Sequence, residues 1–310
     1  MKHHNDFQTF LNEEVNLNPS RIKTLDEKTE IISRLLKDCL DGYRKTERQG
    51  SYALGTIIKP VRDTDEFDAD LLVYMAEQAS WTARDYITSL LAVFQKNGNY
   101  QDIVRRKTRC MTIDYKADFH LDLVPAIEKD GRVYICNYDT DSFEETDGTG
   151  FRDWFNDKNR VTNSHLKKAT RLFKYLRDRS SNFSVKSILL STLLGNCVGG
   201  DNFDDLATAF KILMDRLDDK LQASPSMPAV NNPVLPWENF NRYWERSKYS
   251  NFRDKVNDYR EKVDAAYNEQ DRNESIRKWR KVFGDSFGTI IQGSSERSQT
   301  TIPHKPFAHW

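Results

Sequence analysis

The 310-residue chain sets 47 Lys and Arg against 47 Asp and Glu, with 38% hydrophobic and 30% charged residues. That balance describes a globular chain with a real core and excludes a largely disordered one; it also argues against broad electrostatic capture of nucleic acid or of an anionic membrane. No apolar run approaches the length of a membrane span, the N-terminal residues are too polar for a signal peptide, and the four scattered cysteines, Cys39, Cys110, Cys136 and Cys197, form no C-x-x-C pair. They read as buried thiols in a reducing compartment, the cytoplasm, with no zinc site.

Thr24-Leu25-Asp26-Glu27 fits a capping box, and Ile31, Ile32, Leu35, Leu36, Cys39 and Leu40 follow at helical spacing. One long helix is therefore predicted over residues 24 to 42, ended by Gly42. A short segment, 44 to 49, leads into a Gly50-Ser51 turn, and the acidic stretch 62 to 66 reads as a solvated loop. It delivers Asp68 and Asp70 into the apolar run Leu71-Leu72-Val73, a strand. Ser80 is the predicted cap of a helix carrying Tyr86, Ile87, Leu90, Leu91 and Phe94, with Gly98 at its C′ position. Residues 108 to 115 and 118 to 127 alternate apolar and polar about a turn at Lys116-Ala117, which predicts a hairpin, and 132 to 136 adds a strand.

Beyond residue 160 the period becomes helical. Leu166, Ala169, Phe173 and Leu176 predict a helix over 163 to 178, and 185 to 198 a second, almost wholly apolar and therefore buried. A third runs over 203 to 221; 225 to 236 is a Pro-rich loop; 251 to 269 and 272 to 283 read as exposed charged helices. The tail, 293 to 310, is irregular, with Phe307 and Trp310 as docking aromatics.

The chemistry concentrates in three aspartates. On a strand, positions 68 and 70 share a face about 7 Å apart, twice the rise per residue. Asp122 lies between Leu121 and Leu123 on a separate predicted strand, where a carboxylate is costly to bury unless paired or metal-bound. If the two strands are neighbours, the three carboxylates converge, and one or two Mg²⁺ ions relieve their repulsion. Glu66 with Asp68 is the same pair one step out of frame; the apolar run beginning at Leu71 favours Asp68 with Asp70. Gly50 lets backbone N–H groups approach a phosphate, and the Ser51 hydroxyl adds a donor.

Gly-Ser, then Asp-x-Asp entering an apolar strand, then a third Asp between apolar residues on a later strand resembles the polymerase-β-type nucleotidyltransferases. Within them, GSYALGT (50 to 56), HLDLVPAI (120 to 127), the long early helix and the helical second half resemble the cGAS/DncV-like nucleotidyltransferases (CD-NTases) of bacterial CBASS anti-phage signalling. The resemblance covers most of the chain. It implies an α+β, bilobed fold: a mixed-sheet catalytic lobe over 1 to 160, an all-helical nucleotide-binding lobe over 161 to 310, and a long N-terminal helix spanning both. It implies a cytoplasmic enzyme that makes a cyclic di- or trinucleotide from NTPs, ATP among them, for a downstream effector that the product activates. Asp68, Asp70 and Asp122 become the ligands of Mg²⁺ or Mn²⁺, as two ions, with Asp122 also placed to orient or deprotonate the attacking ribose hydroxyl. Gly50 and Ser51 hold the triphosphate.

Lys167, Arg171 and Lys174 share one helix face, which by itself reads as a solvated stripe with Lys174 paired to Asp178. The resemblance instead sets Lys174 and Ser187 against the donor triphosphate, with Lys186 the neighbouring choice; Ser187 falls in a first helical turn, where N–H groups favour an anion. Ile188 stands where some relatives carry a base-stacking tyrosine, so stacking must come from another aromatic. Residues 232 to 244 resemble a loop and helix of the family, whose aromatics read first as packing, with a base contact as the alternative. Arg105-Arg106-Lys107 and Arg109 read as a solvated loop, and with no zinc-binding insertion neither specific DNA binding nor a membrane partner is expected. Two other classes share parts of the pattern: a nucleotidyltransferase that modifies RNA or a protein, and a degenerate nucleotide-binding scaffold without turnover.

Overall fold

The computed structural model describes residues 1–61, 66–116, 118–180 and 182–291. The acidic stretch 62 to 65, Ala117 of the predicted turn, and the tail with Phe307 and Trp310 lie outside the described residues.

A mixed sheet forms one half. Its strands are β1 (Tyr43–Gln49), β2 (Phe67–Met75), β3 (Val104–Arg106), β4 (Met111–Tyr115), β5 (Phe119–Lys129), β6 (Arg132–Asn137) and β7 (Ser142–Thr146). The path runs β1-β2-β5-β4-β3, with β6 joining β5 and β7 joining β6; β2 and β5 are parallel, and the other pairs antiparallel. β5 is long enough to hold β4 along Phe119–Leu123 and β6 along Ala126–Lys129 on the same edge. Pro125, with no N–H to give, falls where β4 has ended and β6 has not begun.

The two faces of this sheet do different things. Phe67, Ala69, Leu71, Val73 and Met75 of β2, with Phe119, Leu121 and Leu123 of β5, bury themselves against α2 (Pro19–Cys39) and α4 (Ala83–Gln95). The intervening residues, Asp68, Asp70, His120 and Asp122 among them, must then point the other way. Farther along that second face Leu72, Tyr74 and Ala126 form a small apolar cluster, with Val124, Val133 and Ile135 packed against it.

The other half is helical: α5 (Gly148–Val161), α6 (His165–Arg179), α7 (Ser187–Asn196), α8 (Leu206–Gln222), α9 (Arg246–Asn268) and α10 (Arg272–Phe283). α7 is buried almost throughout, as its composition predicts. α9 and α10 are amphipathic and not merely exposed. Tyr249, Phe252, Val256, Tyr259, Val263 and Ala266 bury one stripe, and Trp279 and Phe283 lie in the core. The N-terminal region reaches both halves in pieces. α1 (His4–Phe10) and a π turn (Leu11–Val15) send Phe7, Phe10, Leu11 and Val15 into the helical core, whereas α2 packs on the sheet.

Several boundaries differ from expectation for identifiable reasons. α2 begins at Pro19, not 24, because Asn18 caps it through Ser20 N and Pro19 suits the first turn. It ends at Cys39, and Cys39 is exposed, not buried. α4 is capped by the reciprocal Thr82/Asp85 box in place of Ser80, and its C-cap is Lys96, which leaves Gly98 beyond the C′ position. Gly50-Ser51 is not a bare turn but opens a short helix, α3 (Gly50–Leu54). α3 links the halves, since Tyr52 packs in the sheet core and Leu54 in the helical one.

A candidate nucleotidyl-transfer site

Parallel pairing sets β5 beside β2 in a register that puts Asp68 across from His120 and Asp70 across from Asp122. On the other edge of β5, β4 puts Thr112 across from Asp122 and Asp114 across from His120. Asp68, Asp70, His120 and Asp122 line one cleft of ≈1790 Å³, which lies between the two halves. Asp122 accepts from Thr112 Oγ1 at 2.5 Å and from Lys107 Nζ at 3.0 and 3.1 Å. Asp68 stands at the open end with its side chain 71% exposed, 3.3 Å from His120 Nδ1. Asp70 is the inner member. Burial first, then the charges of Asp122 and Asp68, push its pKa up to about 7 against the pull of Lys107 and Lys174.

Gly50 is locked into this arrangement. Gln49, the last residue of β1, pairs with Asp70, so the chain leaves β1 directly beside that carboxylate. Gly50 has φ +58°, and a Cβ there would lie 2.5 Å from Asp70 Oδ2. Thr56 N donates to Ser51 O at 2.9 Å, closing the loop after α3.

The opposite wall comes from α6 and α7. Lys174 is 2% exposed and donates to Thr56 O at 2.9 Å and to Thr56 Oγ1 at 3.2 Å. It thereby ties the helical half to the loop that begins at Gly50. Burial, reinforced by Arg177 and opposed by Asp178 and Asp70, lowers its pKa to about 7. The predicted Lys174–Asp178 pair does not form: Asp178 is taken by Arg177, 2.5 Å away. The stripe is not solvated either, because the segment after α3 covers it at Lys174. Ser187 is the first residue of α7 and Lys186 its N-cap; Ser187 Oγ accepts from Arg177 Nη1 at 3.0 Å.

The basic cluster is likewise no solvated loop. Arg105 and Arg106 lie on β3, and the residues pair with acids one by one: Arg105 with Asp114, Arg106 with Asp139, Lys107 with Asp122, Arg109 with Glu144. Glu66, the out-of-frame alternative, sits 2.7 Å from His120 Nε2. Sequence reasoning did not single out His120 or Arg177 of the cleft; it read Lys107 into a solvated loop and Trp237 into packing aromatics with a base contact as the alternative. The first three owe their place to partners elsewhere in the chain, but the tryptophan carried a signal in its lone, Pro-flanked position.

Three carboxylates on one face are the donor set of a hard divalent cation. A carboxylate whose pKa has risen to about 7, by burial first and then by the charges of Asp122 and Asp68, is costly to ionise unaided, and a divalent ion would relieve that cost. Among the described residues no three His, Cys, Asp or Glu side chains already close on one point as a preformed cage. Lys107 stands beside Asp122, and the His120 imidazole stands beside Asp68. The residues fit such an ion, with Asp70 across from Asp122 and Asp68 on the same face.

Residues 1–159 match the family model described as the Second Messenger Oligonucleotide or Dinucleotide Synthetase domain. The chain is 27% identical over 272 residues to a c-di-GMP synthase of Roseivirga ehrenbergii, covering 75% of this chain and 70% of that protein. It is 24% identical to the cyclic AMP-AMP-AMP synthase of Escherichia coli MS 115-1, covering 92% and 97%. Two solved structures share the fold. One is the E. coli MS115-1 CdnC with ATP (TM-score 0.72, 22% identity, 92% and 99% covered). The other is the Vibrio cholerae DncV cyclic AMP-GMP synthase with a linear intermediate (TM-score 0.75, 16% identity, 93% and 97% covered). With more than half its length in that family model and its aspartates gathered on one face of an α+β, bilobed fold, the chain belongs to the Second Messenger Oligonucleotide or Dinucleotide Synthetase family, as a cGAS/DncV-like nucleotidyltransferase that builds cyclic oligonucleotides from nucleoside triphosphates.

Proposed function

We propose that this enzyme is a metal-dependent, cytoplasmic synthase of a cyclic di- or trinucleotide second messenger in anti-phage defence. It uses ATP among its substrates, and its product activates a separate effector. The observation that carries the reading is the Asp70–Asp122 register of β2 and β5, which sets two carboxylates side by side with Asp68 on the same face. Asp68, Asp70 and Asp122 are the ligands of Mg²⁺ or Mn²⁺, as two ions. When bound, such ions polarise the α-phosphate and lower the pKa of the ribose hydroxyl, so no histidine base is needed.

The chain's own groups do the rest. Asp122, steadied by Thr112 and Lys107, orients the attacking hydroxyl and takes its proton. The hydroxyl oxygen bonds to the α-phosphorus, and the bond to the β-phosphate oxygen breaks. Pyrophosphate leaves along a path lined by Lys174, Lys186 and Ser187, while the Gly50 backbone and the Ser51 hydroxyl hold the triphosphate. A second transfer within the linear product closes the ring.

For the base, Trp237 is the best-placed stacking surface. It lines the cleft and is 67% exposed, whereas Phe67, Phe151 and Phe240 of the same cleft are buried. Its neighbour Glu238 is pinned by Asn232 and Arg242, so the ring is presented on a braced loop. Base–aromatic stacking contributes roughly 1–3 kcal/mol. Trp237→Ala should therefore raise the KM for nucleotide about tenfold or more, and Trp237→Phe should recover most of it. Unchanged KM in the alanine variant refutes the stacking role.

The reading as a whole is tested by incubating the protein with each α-³²P-labelled NTP and Mg²⁺, then treating with phosphatase. A labelled, phosphatase-resistant small product is expected. Label delivered only to RNA or protein, or none incorporated at all, rejects the synthase reading.

A further inference from the structure

Two rungs of side chains cross the sheet on its cleft face. The inner rung is Asp70, Asp122 and Thr112. The outer rung, two residues earlier on β2 and β5, is Asp68, His120 and Asp114, aligned by the same registers. In the outer rung the imidazole is the hub. Its Nε2 lies 2.7 Å from Glu66 Oε2 and 3.2 Å from Asp114 Oδ1, while its Nδ1 lies 3.3 Å from Asp68 Oδ1. Asp114 is itself held by Arg105, through Nε at 2.9 Å and Nη2 at 3.2 Å.

These contacts are unequal in consequence. Glu66 and Asp114 both grip the Nε2 end of the ring, so a flip would turn ring carbons toward them and break two charge-assisted contacts. A ring anchored in this way presents Nδ1 to Asp68. The Asp68 side chain is 71% exposed against 28% for the imidazole, and among the described residues no other partner sets its rotamer. Left to itself, an exposed carboxylate samples several orientations, and ordering it to bind an ion costs side-chain entropy. A carboxylate has two oxygens and about four acceptor sites, so one oxygen held by an N–H leaves the other for a cation.

We propose that His120 is a positioning residue, which holds the Asp68 carboxylate from Nδ1 in the orientation that lets Asp68 and Asp70 share a divalent cation. Glu66 and Asp114 brace it from behind. The role rests on Asp68 being a cation ligand, as proposed above. Loss of a group that orients a metal ligand typically weakens metal affinity about 10–100-fold.

The test is direct Mn²⁺ binding to the purified, nucleotide-free protein, read from the free-Mn²⁺ electron paramagnetic resonance signal. The proteins compared are the native chain, His120→Ala, His120→Asn, His120→Gln and Asp70→Asn. His120→Ala should weaken Mn²⁺ binding about 10–100-fold. An asparagine amide nitrogen falls near the position of Nδ1 and should restore most of the affinity. A glutamine nitrogen reaches toward the Nε2 position, meets Glu66 and Asp114, and should not. Native affinity in His120→Ala, or equal loss in the asparagine and glutamine variants, overturns the positioning role, the latter by showing that His120 only stabilises the fold. Asp70→Asn separates the two levels of the argument. If it also binds Mn²⁺ like the native chain, the cation site itself is misassigned. If it loses binding while His120→Ala keeps it, only the role of His120 fails.

Discussion

Replacing Gly50 by alanine is expected to lower turnover by about a hundredfold or more, the scale at which a misplacement of about 1 Å acts on a transfer reaction. The reason is contact, not loss of a functional group. The new Cβ would sit 2.5 Å from Asp70 Oδ2 and 3.4 Å from its Cγ, and the backbone is at φ +58°, where an L side chain costs about 1–2 kcal/mol. To relieve the clash, either Asp70 rotates away from Asp122 or α3 withdraws from the cleft with Ser51. Both displace groups that the proposed transfer mechanism assigns to the reaction. Gly55 provides the control: it has a similar φ of +64° but nothing within 4 Å of its Cβ position. Gly55→Ala should lower stability by the backbone term alone and keep most of the activity. Comparable turnover in the two variants would show that the approach of Gly50 to Asp70 does not matter to the chemistry.

Asp70→Asn is expected to remove product formation, by about a thousandfold or more, the scale of losing a principal electrostatic contact in a transition state. The same variant should be more stable than the native protein when no metal is present. In the folded chain the Asp70 pKa rises from 3.8 to about 7, so between those values the folded state holds more protons than the unfolded state. Stability then falls as pH rises through that window, and above about 7 the full penalty of the ionised carboxylate is present. Asparagine has the same shape without the charge. At pH 8 its melting temperature should exceed the native one by about 2 °C or more, and the gap should close as pH falls from 7 toward 4. Mg²⁺ should raise the melting temperature of the native chain and do little for the variant. A variant that melts lower, or a gap independent of pH, would mean that Asp70 is not electrostatically strained. Retained synthesis would remove it from the reaction.

The three aspartates could be read from the chain because strand alternation is a local property. Asp68 and Asp70 are one period apart before an apolar run, and Asp122 interrupts another. The helical half was readable from equally local signals, since α6 and α8 repeat their apolar residues at helical spacing and α7 is an almost unbroken apolar run. The elements that were missed lack that local contrast. β1 reads YRKTERQ and owes its strand form to pairing with β2, not to its own apolar residues. β3 and β7 are short and half exposed. α5 did carry a signal in Asp147, which caps Gly150 N, and in Phe151 and Phe155 four residues apart on its buried face. The start of α2 was misplaced because two capping signals compete there and the one with proline at the first turn prevails.

By itself, then, the sequence determined which residues carry charge on strands, which helices must be buried, and the family whose motifs these are. Tertiary structure alone decided what those charges face. Lys174 is a surface-type residue in a helical stripe until the loop after α3 folds over it and lowers its pKa to about 7. His120 joins the site because β5 runs parallel to β2 in one register, which brings residues more than fifty positions apart onto a single face, and Lys107 because β4 pairs antiparallel with the other edge of β5. Burial and charge pairing depend on distances through space, and no spacing along the chain encodes the order in which strands lie side by side.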